Sequence, residues 1–203
     1  TLLGERKQAL AAFDEAERIW IELGDEAGQA TVWNNSARAY LEAGEVNRAL
    51  DLHTRALAVW RKLGNRNAEL TSLNNLGVIY DAQGEKQKAL ECYEQVAPLA
   101  RQSGNRLLEA ATFSNIGEIY KDLRDHRRAL AQFELGLPIW RELGNLRGEA
   151  AVLANIGFVH TFAGELEKAL KPLEQAIEIA RKTGDRSTEG FAMNTLARVM
   201  MGQ

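Results

Sequence analysis

A ten-residue stretch, Thr71-Ser72-Leu73-Asn74-Asn75-Leu76-Gly77-Val78-Ile79-Tyr80, returns along this chain with a fixed step of 40 residues. Trp33-Asn34-Asn35-Ser36-Ala37 precedes Tyr40, and Phe113-Ser114-Asn115-Ile116-Gly117 precedes Tyr120. Leu153-Ala154-Asn155-Ile156-Gly157 precedes His160, and Met193-Asn194-Thr195-Leu196-Ala197 precedes Met200. A step of this size means a solenoid, a propeller or an array. Such a molecule grows unit by unit, each unit needing only its neighbours.

Each step holds two helical patterns. In the step from Asn65 to Gly104, helix A is expected over about 65–83 and helix B over about 85–103. Glycine followed by Asp or Asn recurs at Gly24-Asp25, Gly64-Asn65, Gly104-Asn105, Gly144-Asn145 and Gly184-Asp185. The glycine ends helix B at positive φ, and the side chain after it caps the next helix A. Gly44, Gly84 and Gly164 mark the turn inside a repeat; Arg124-Asp125 stands there in one copy, so that turn must reach positive φ without glycine or take another shape. Leu73, Leu76, Gly77 and Tyr80 form one stripe of helix A, and Ala89, Tyr93 and Val96 one stripe of helix B. Glycine inside a helix costs about 1 kcal/mol against alanine. Its recurrence at Gly77, Gly117 and Gly157, with Ala37 and Ala197 in the other copies, therefore predicts a close approach, expected against Ala49, Ala89, Ala129 and Ala169. Pro98, Pro138 and Pro172 fall inside helix B patterns and are expected to bend them.

The order of sizes in this unit resembles the tetratricopeptide repeat on Leu73, Leu76, Gly77, Tyr80, Ala89 and Tyr93. With its 40-residue period it is similar to the family's long-repeat branch. The resemblance implies an all-α fold: a right-handed α-solenoid superhelix of antiparallel helix pairs, about ten helices in all. The expected organisation is a single array over residues 1–203, with full repeats at 25–64, 65–104, 105–144 and 145–184. Residues 1–24 match helix B alone (Lys7-Gln8-Ala9-Leu10 aligns with Lys88-Ala89-Leu90), and residues 185–203 match helix A alone. Natural arrays end in polar caps. Trp20, Phe191, Met193, Met200 and Met201 are candidates for exposure instead, so the expectation is an excerpt of a longer array.

In this family the face of helix A turned away from helix B lines a concave groove for ligands. The resemblance puts Thr31, Asn34, Asn35, Arg38 and Glu42 on it in the first copy, and Thr71, Asn74, Asn75, Val78 and Asp81 in the second. Ser114, Asn115, Glu118, Lys121 and Asp122 follow, then Asn155, Phe158, Thr161 and Phe162, then Asn194, Thr195 and Arg198. Asn35, Asn75, Asn115 and Asn155 form a ladder. A carboxamide both donates and accepts, so it suits a peptide backbone; it equally suits bonding between neighbouring A helices. Asp81, Glu118 and Asp122 make the middle acidic and Phe158 and Phe162 make the far part apolar, so a peptide with basic and apolar residues is the expected ligand. The family's carboxylate clamp of lysines or arginines is absent, so recognition of a free C-terminus is not expected.

A second ladder, Glu69, Glu109, Glu149 and Glu189 with Gln29 in the first copy, falls in the first turn of each helix A. Arg61, Arg101, Arg141 and Arg181 lie near the ends of the B helices. Both signs suit the helix dipoles, and the two series are expected to pair as exposed ion pairs across the repeat junction.

Little else in the chain suggests chemistry. With 25 basic and 28 acidic residues the net charge is −3, which favours neither nucleic acid nor an anionic membrane as partner. No apolar run approaches the roughly 18–20 residues of a membrane span, and Thr1 to Gln8 lead into an amphipathic helix without a signal-peptide pattern. The one cysteine, Cys92, allows no disulfide within the chain, and a cytoplasmic location is expected. His53 and His160 occupy core positions of the repeat, and His126 sits in the turn that lacks glycine. No metal-ligand cluster, phosphate loop or nucleophile elbow is recognisable, so no enzyme activity, cofactor or metal is expected. The expectation is a scaffold that binds a protein or peptide partner. The rivals are a regulatory arm of a larger signalling protein and an array that self-associates end to end through its unmatched B and A helices.

Overall fold

In a computed structural model the backbone is described for residues 2–202 and the side chains for residues 8–202. Thr1, Gln203 and the Lys7 side chain, which entered the reading above, lie outside the described residues. Ten helices follow one another: α1 (Leu2–Glu22), α2 (Glu26–Glu42), α3 (Val46–Leu63), α4 (Arg66–Ala82), α5 (Lys86–Gln102), α6 (Arg106–Asp122), α7 (His126–Glu142), α8 (Leu146–Phe162), α9 (Leu166–Thr183) and α10 (Arg186–Met200). Even-numbered helices are the A helices of the repeat and odd-numbered ones the B helices. They gather into two compact units, Thr1–Leu99 and Ala100–Gln203.

The corners form as their sequence dictates. Gly24, Gly64, Gly104, Gly144 and Gly184 have φ between 63° and 71°. The side chains of Asp25, Asn65, Asn105, Asn145 and Asp185 each accept a backbone N–H three residues on. Inside the repeats, Gly44, Gly84 and Gly164 also have positive φ, and Arg124 reaches φ 58° in their place. Asp125 then caps α7 by accepting from Arg128 N at 3.0 Å, whereas Glu45 and Glu165 in the same position cap nothing with their side chains. The helices α5, α7 and α9 continue through Pro98, Pro138 and Pro172.

The close approach at the helix-A glycines has a different partner from the one expected. A Cβ on Gly77 would stand 2.7 Å from the Tyr93 ring, and one on Gly117 2.6 Å from the Phe133 ring. On Gly157 it would meet Leu173 at 2.4 Å, with the Ala169 backbone oxygen further off at 3.3 Å. The large side chain sixteen residues on, rather than the alanine twelve on, forbids a methyl group there. A second pairing recurs at the B-to-A junction, where Cβ atoms on Gly28 and Gly148 would lie 2.3 and 2.5 Å from Trp20 and Trp140. Where the tryptophan gives way to Ala100 or Ala180, the residue eight on is Leu108 or Thr188. Interiors are packed to crystal-like density, so a change of size on one helix is answered on the next.

The charged ladders pair, with the arginines exposed and the glutamates turned inward. Arg61 reaches Glu69 at 3.0 Å, Arg141 reaches Glu149 at 2.7 Å and Arg181 reaches Glu189 at 2.8 Å; Arg101 stands 3.9 Å from Glu109. Glu69, Glu109 and Glu189 are buried, and each is held from the other side by the arginine three residues before it, Arg66, Arg106 or Arg186. Burial alone would raise the Glu69 carboxyl, but hydrogen bonds from Arg61 and Arg66 outweigh it and hold the group below its ordinary value. A buried charge is tolerated when it is paired and hydrogen-bonded. Gln29, the neutral member of the ladder, has instead a long bond from its Nε2 to the Trp20 carbonyl at 3.4 Å.

Candidate functional site

In the first unit the A-helix face opens into a cleft of about 360 Å³ lined by Asn34, Asn35, Arg38, Leu41, His53, Thr71, Asn75 and Val78. Asn34 is its fixed wall. The Asn34 Oδ1 accepts from Ser72 Oγ at 3.0 Å and lies 2.9 Å from His53 Nδ1, tying α2 to both α3 and α4. His53 is buried, and burial pushes its pKa down to about 4. It is therefore neutral near pH 7 and donates its Nδ1 proton to Asn34.

The four asparagines of the ladder do not share one environment. Asn35 is exposed, Asn75 and Asn115 are half-buried, and Asn155 is buried. The Asn155 Oδ1 accepts from Lys121 Nζ at 2.7 Å, and its Nδ2 donates to Glu118 Oε1 at 3.3 Å, joining α8 to α6. For Asn75 the equivalent positions on the preceding A helix are Leu41 and Arg38. Leucine offers no donor, and that register stays open as the cleft. Asn35, Asn75 and Asn115 make no side-chain hydrogen bond among the described residues. Asn74 is half-buried beside Asn75.

In the second unit a cleft of about 240 Å³ is lined by Lys121, Asp122, Arg124, His126, Phe158 and Phe162. Phe158 lies 4.4 Å from Phe162 and 5.5 Å from Phe191, centroid to centroid. Lys121 Nζ stands 5.6 Å from the Phe158 ring, and the Arg198 guanidinium 5.9 Å from the Phe162 ring. Phe162 is half exposed and Arg198 exposed. Thr161 and Thr195, assigned to this face from the sequence, turn inward and bond the Gly157 and Phe191 carbonyls. Ser114 accepts from Trp140 Nε1 at 3.1 Å and serves the A-to-B contact.

The carboxylates that suggested a basic ligand are engaged within the fold. Asp81 is paired with Lys86 at 2.7 Å, Glu118 accepts from Asn155, and Asp122 also interacts within the chain. Arg38 and Arg124, by contrast, are exposed and have no side-chain partner among the described residues. Arg38 lines the first unit's cleft, as its place on the A-helix face implied; Arg124, marked in the sequence only as the turn residue without glycine, lines the second unit's.

His160 is half-buried, its Nδ1 2.7 Å from Glu165 Oε2 across the α8–α9 turn. Cys92 is buried, and burial pushes its thiol up, away from a reactive thiolate. Among the described residues no group of three or more His, Cys, Asp or Glu could hold a metal ion, and no helix is long and apolar enough to cross a membrane.

Comparison with known proteins extends the resemblance. No curated protein matches the chain by sequence. Among solved structures, a signal transduction ATPase with numerous domains, carrying a tetratricopeptide repeat sensor, from Pyrococcus horikoshii is similar over 97% of this chain and 31% of its own, at 21% identity and TM-score 0.86. Apo RapI is similar over 89% of this chain and 66% of its own, at 21% identity and TM-score 0.82. A Rap protein complexed with Competence and Sporulation Factor is similar over 96% of this chain and 58% of its own, at 18% identity and TM-score 0.70. The chain thus spans between about a third and two thirds of these neighbours, and at these identities they share its all-α solenoid fold. The family model described as Tetratricopeptide repeat matches residues 28–102 and 108–182, most of the helix pairs whose packing is set out above. On that match, and on the period, corners and helix pairing that agree with it, the chain belongs to the tetratricopeptide repeat family.

Proposed function

We propose that this chain is a protein-interaction scaffold that holds an extended segment of a partner on its A-helix face. The observation that carries the reading is the state of the amides: Asn35 and Asn75 edge the first unit's cleft with donors and acceptors that no other described residue uses. A peptide backbone presents the matching acceptor and donor. Asn34 holds the wall, Asn74 extends the polar surface and Arg38 offers a charge; in the second unit Asn115 presents a further unengaged amide. Asp81, Glu118, Asp122 and Arg198 border the face, while Phe158 and Phe162 take an apolar side chain. Asn155 acts through the fold, since it locks α8 to α6. The neighbour crystallised with Competence and Sporulation Factor supports ligand binding by this architecture.

A random-peptide display screen against the chain, with an Asn75→Ala/Asn115→Ala variant as control, tests this. Enrichment of a motif that the variant loses is expected. Absence of enrichment, or ligands indifferent to both substitutions, would remove the reading.

A second reading has one observation behind it. The Pyrococcus horikoshii neighbour carries its tetratricopeptide repeats as the sensor of a longer signalling protein, of which this chain matches under a third. As such an arm, the chain would bind a sister domain and show little affinity for free peptides.

A further inference from the structure

We infer that the second unit's cleft reads an apolar or aromatic side chain standing next to an acidic one, with Arg124 as the anion's partner. This deepens the reading above and rests on it. The first observation is backbone strain. Arg124 has φ 58° at the turn where Gly44, Gly84 and Gly164 stand in the other repeats, and among the described residues it is the one non-glycine with positive φ. A side chain in that region is disfavoured, and such outliers gather where function holds them. The second is the absence of a structural return. The guanidinium has no partner among the described residues, and the neighbouring cap by Asp125 involves Arg128 instead. The third is position. Arg124 lines the cleft that Phe158 and Phe162 make apolar.

The charge around that cleft fits a carboxylate. Lys121 and Arg124 line it, against one carboxylate, Asp122, which already interacts within the chain. Lys121 is committed to Asn155 and the phenylalanine rings, so among the described residues lining this cleft Arg124 is the unengaged cation. Guanidinium presents a planar fork of donors that matches a carboxylate. A basic ligand residue would meet like charge here, and a wholly apolar one would leave the arginine unused.

The test pairs stability with binding. Arg124→Gly removes the strain and the charge together, so its thermal midpoint is expected to rise by roughly 2–4 °C. In peptide display, the unmodified chain is expected to enrich Phe, Trp or Leu next to Asp or Glu. The best such peptide should bind Arg124→Gly about tenfold more weakly, the usual loss when a charge-assisted bond goes. Arg124→Glu should recover binding to that peptide once its acidic residue is changed to Lys. Enrichment of peptides without acidic residues, equal binding by Arg124→Gly, or a midpoint that does not rise would overturn this inference and leave the scaffold reading standing. No enrichment by the unmodified chain would overturn both.

Discussion

The size of one side chain in this repeat is set by a partner on the next helix. Gly117 faces the Phe133 ring so closely that a methyl group would sit 2.6 Å from it. Gly117→Ala is therefore expected to cost about 1–3 kcal/mol, the range for overpacking a filled core. Phe133→Ala alone should cost about 3–5 kcal/mol through its cavity. In the double variant the methyl group enters space the ring has left, so the loss should fall short of the sum by about 1 kcal/mol or more. Chemical denaturation of the four proteins measures this, and strict additivity would refute the pairing. In the first full repeat the same two positions hold Ala37 and His53. The sequence shows both series plainly, yet their coupling is hidden in it. The partner lies sixteen residues on, and the alanine twelve on competes as an explanation until distances are known.

His53 adds a pH dependence at the same scale. Its folded pKa, about 4, lies below the ordinary value of 6.5. Below pH 6.5 the unfolded chain takes up a proton that the folded chain refuses. Stability is therefore expected to fall as pH drops from 6.5 towards 4, by about 3 kcal/mol in total. The Ala37→Gly/His53→Phe variant installs the pair present at 117 and 133, and should flatten the dependence over that range. Denaturation midpoints at pH 7, 5.5 and 4.5 check it. Glu69 acts lower: its folded pKa is depressed, so its contribution is present above the carboxylate's unfolded pKa and is lost as pH falls through the folded one.

Individual helices are held to one another by buried glutamates as well as by apolar stripes. Glu69 at the start of α4 takes Arg61 from the end of α3 and Arg66 from its own first turn. Removing both arginines leaves a buried carboxylate without its charged partners, and Arg61→Ala/Arg66→Ala is expected to lose about 1–3 kcal/mol. Glu149 is less buried and has Arg141, with Leu146 where the second arginine would stand, so Arg141→Ala should lose less. Urea titrations of the two variants give the comparison; equal losses would contradict the role of burial. Helix boundaries, caps and glycine corners were legible in the sequence because each depends on residues within one turn of the chain. Burial of the glutamates was not, since it depends on how the next helix lies across them.

Across the whole molecule, a uniform repeat carries non-uniform surfaces. The ladder of asparagines reads as one device in the sequence, but its members part company through residues more than thirty positions away. Lys121 and Glu118 engage Asn155, while Leu41 and Arg38 leave Asn75 open. On the same logic Asp81 is satisfied by Lys86, while Arg124 has no side-chain partner among the described residues. Period and fold class follow from local spacing; which copy meets a ligand follows from which neighbours happen to be polar.

The central claim is that the open asparagines serve a ligand and the closed one serves the fold. The measurement that separates them is a pair of titrations, with a display-selected peptide and with denaturant, on Asn75→Ala and Asn155→Ala. The account predicts that Asn75→Ala weakens peptide affinity about tenfold with stability within about 0.5 kcal/mol of the parent, while Asn155→Ala loses about 1–2 kcal/mol of stability. A destabilised Asn75→Ala that binds the peptide as tightly as the parent would contradict it.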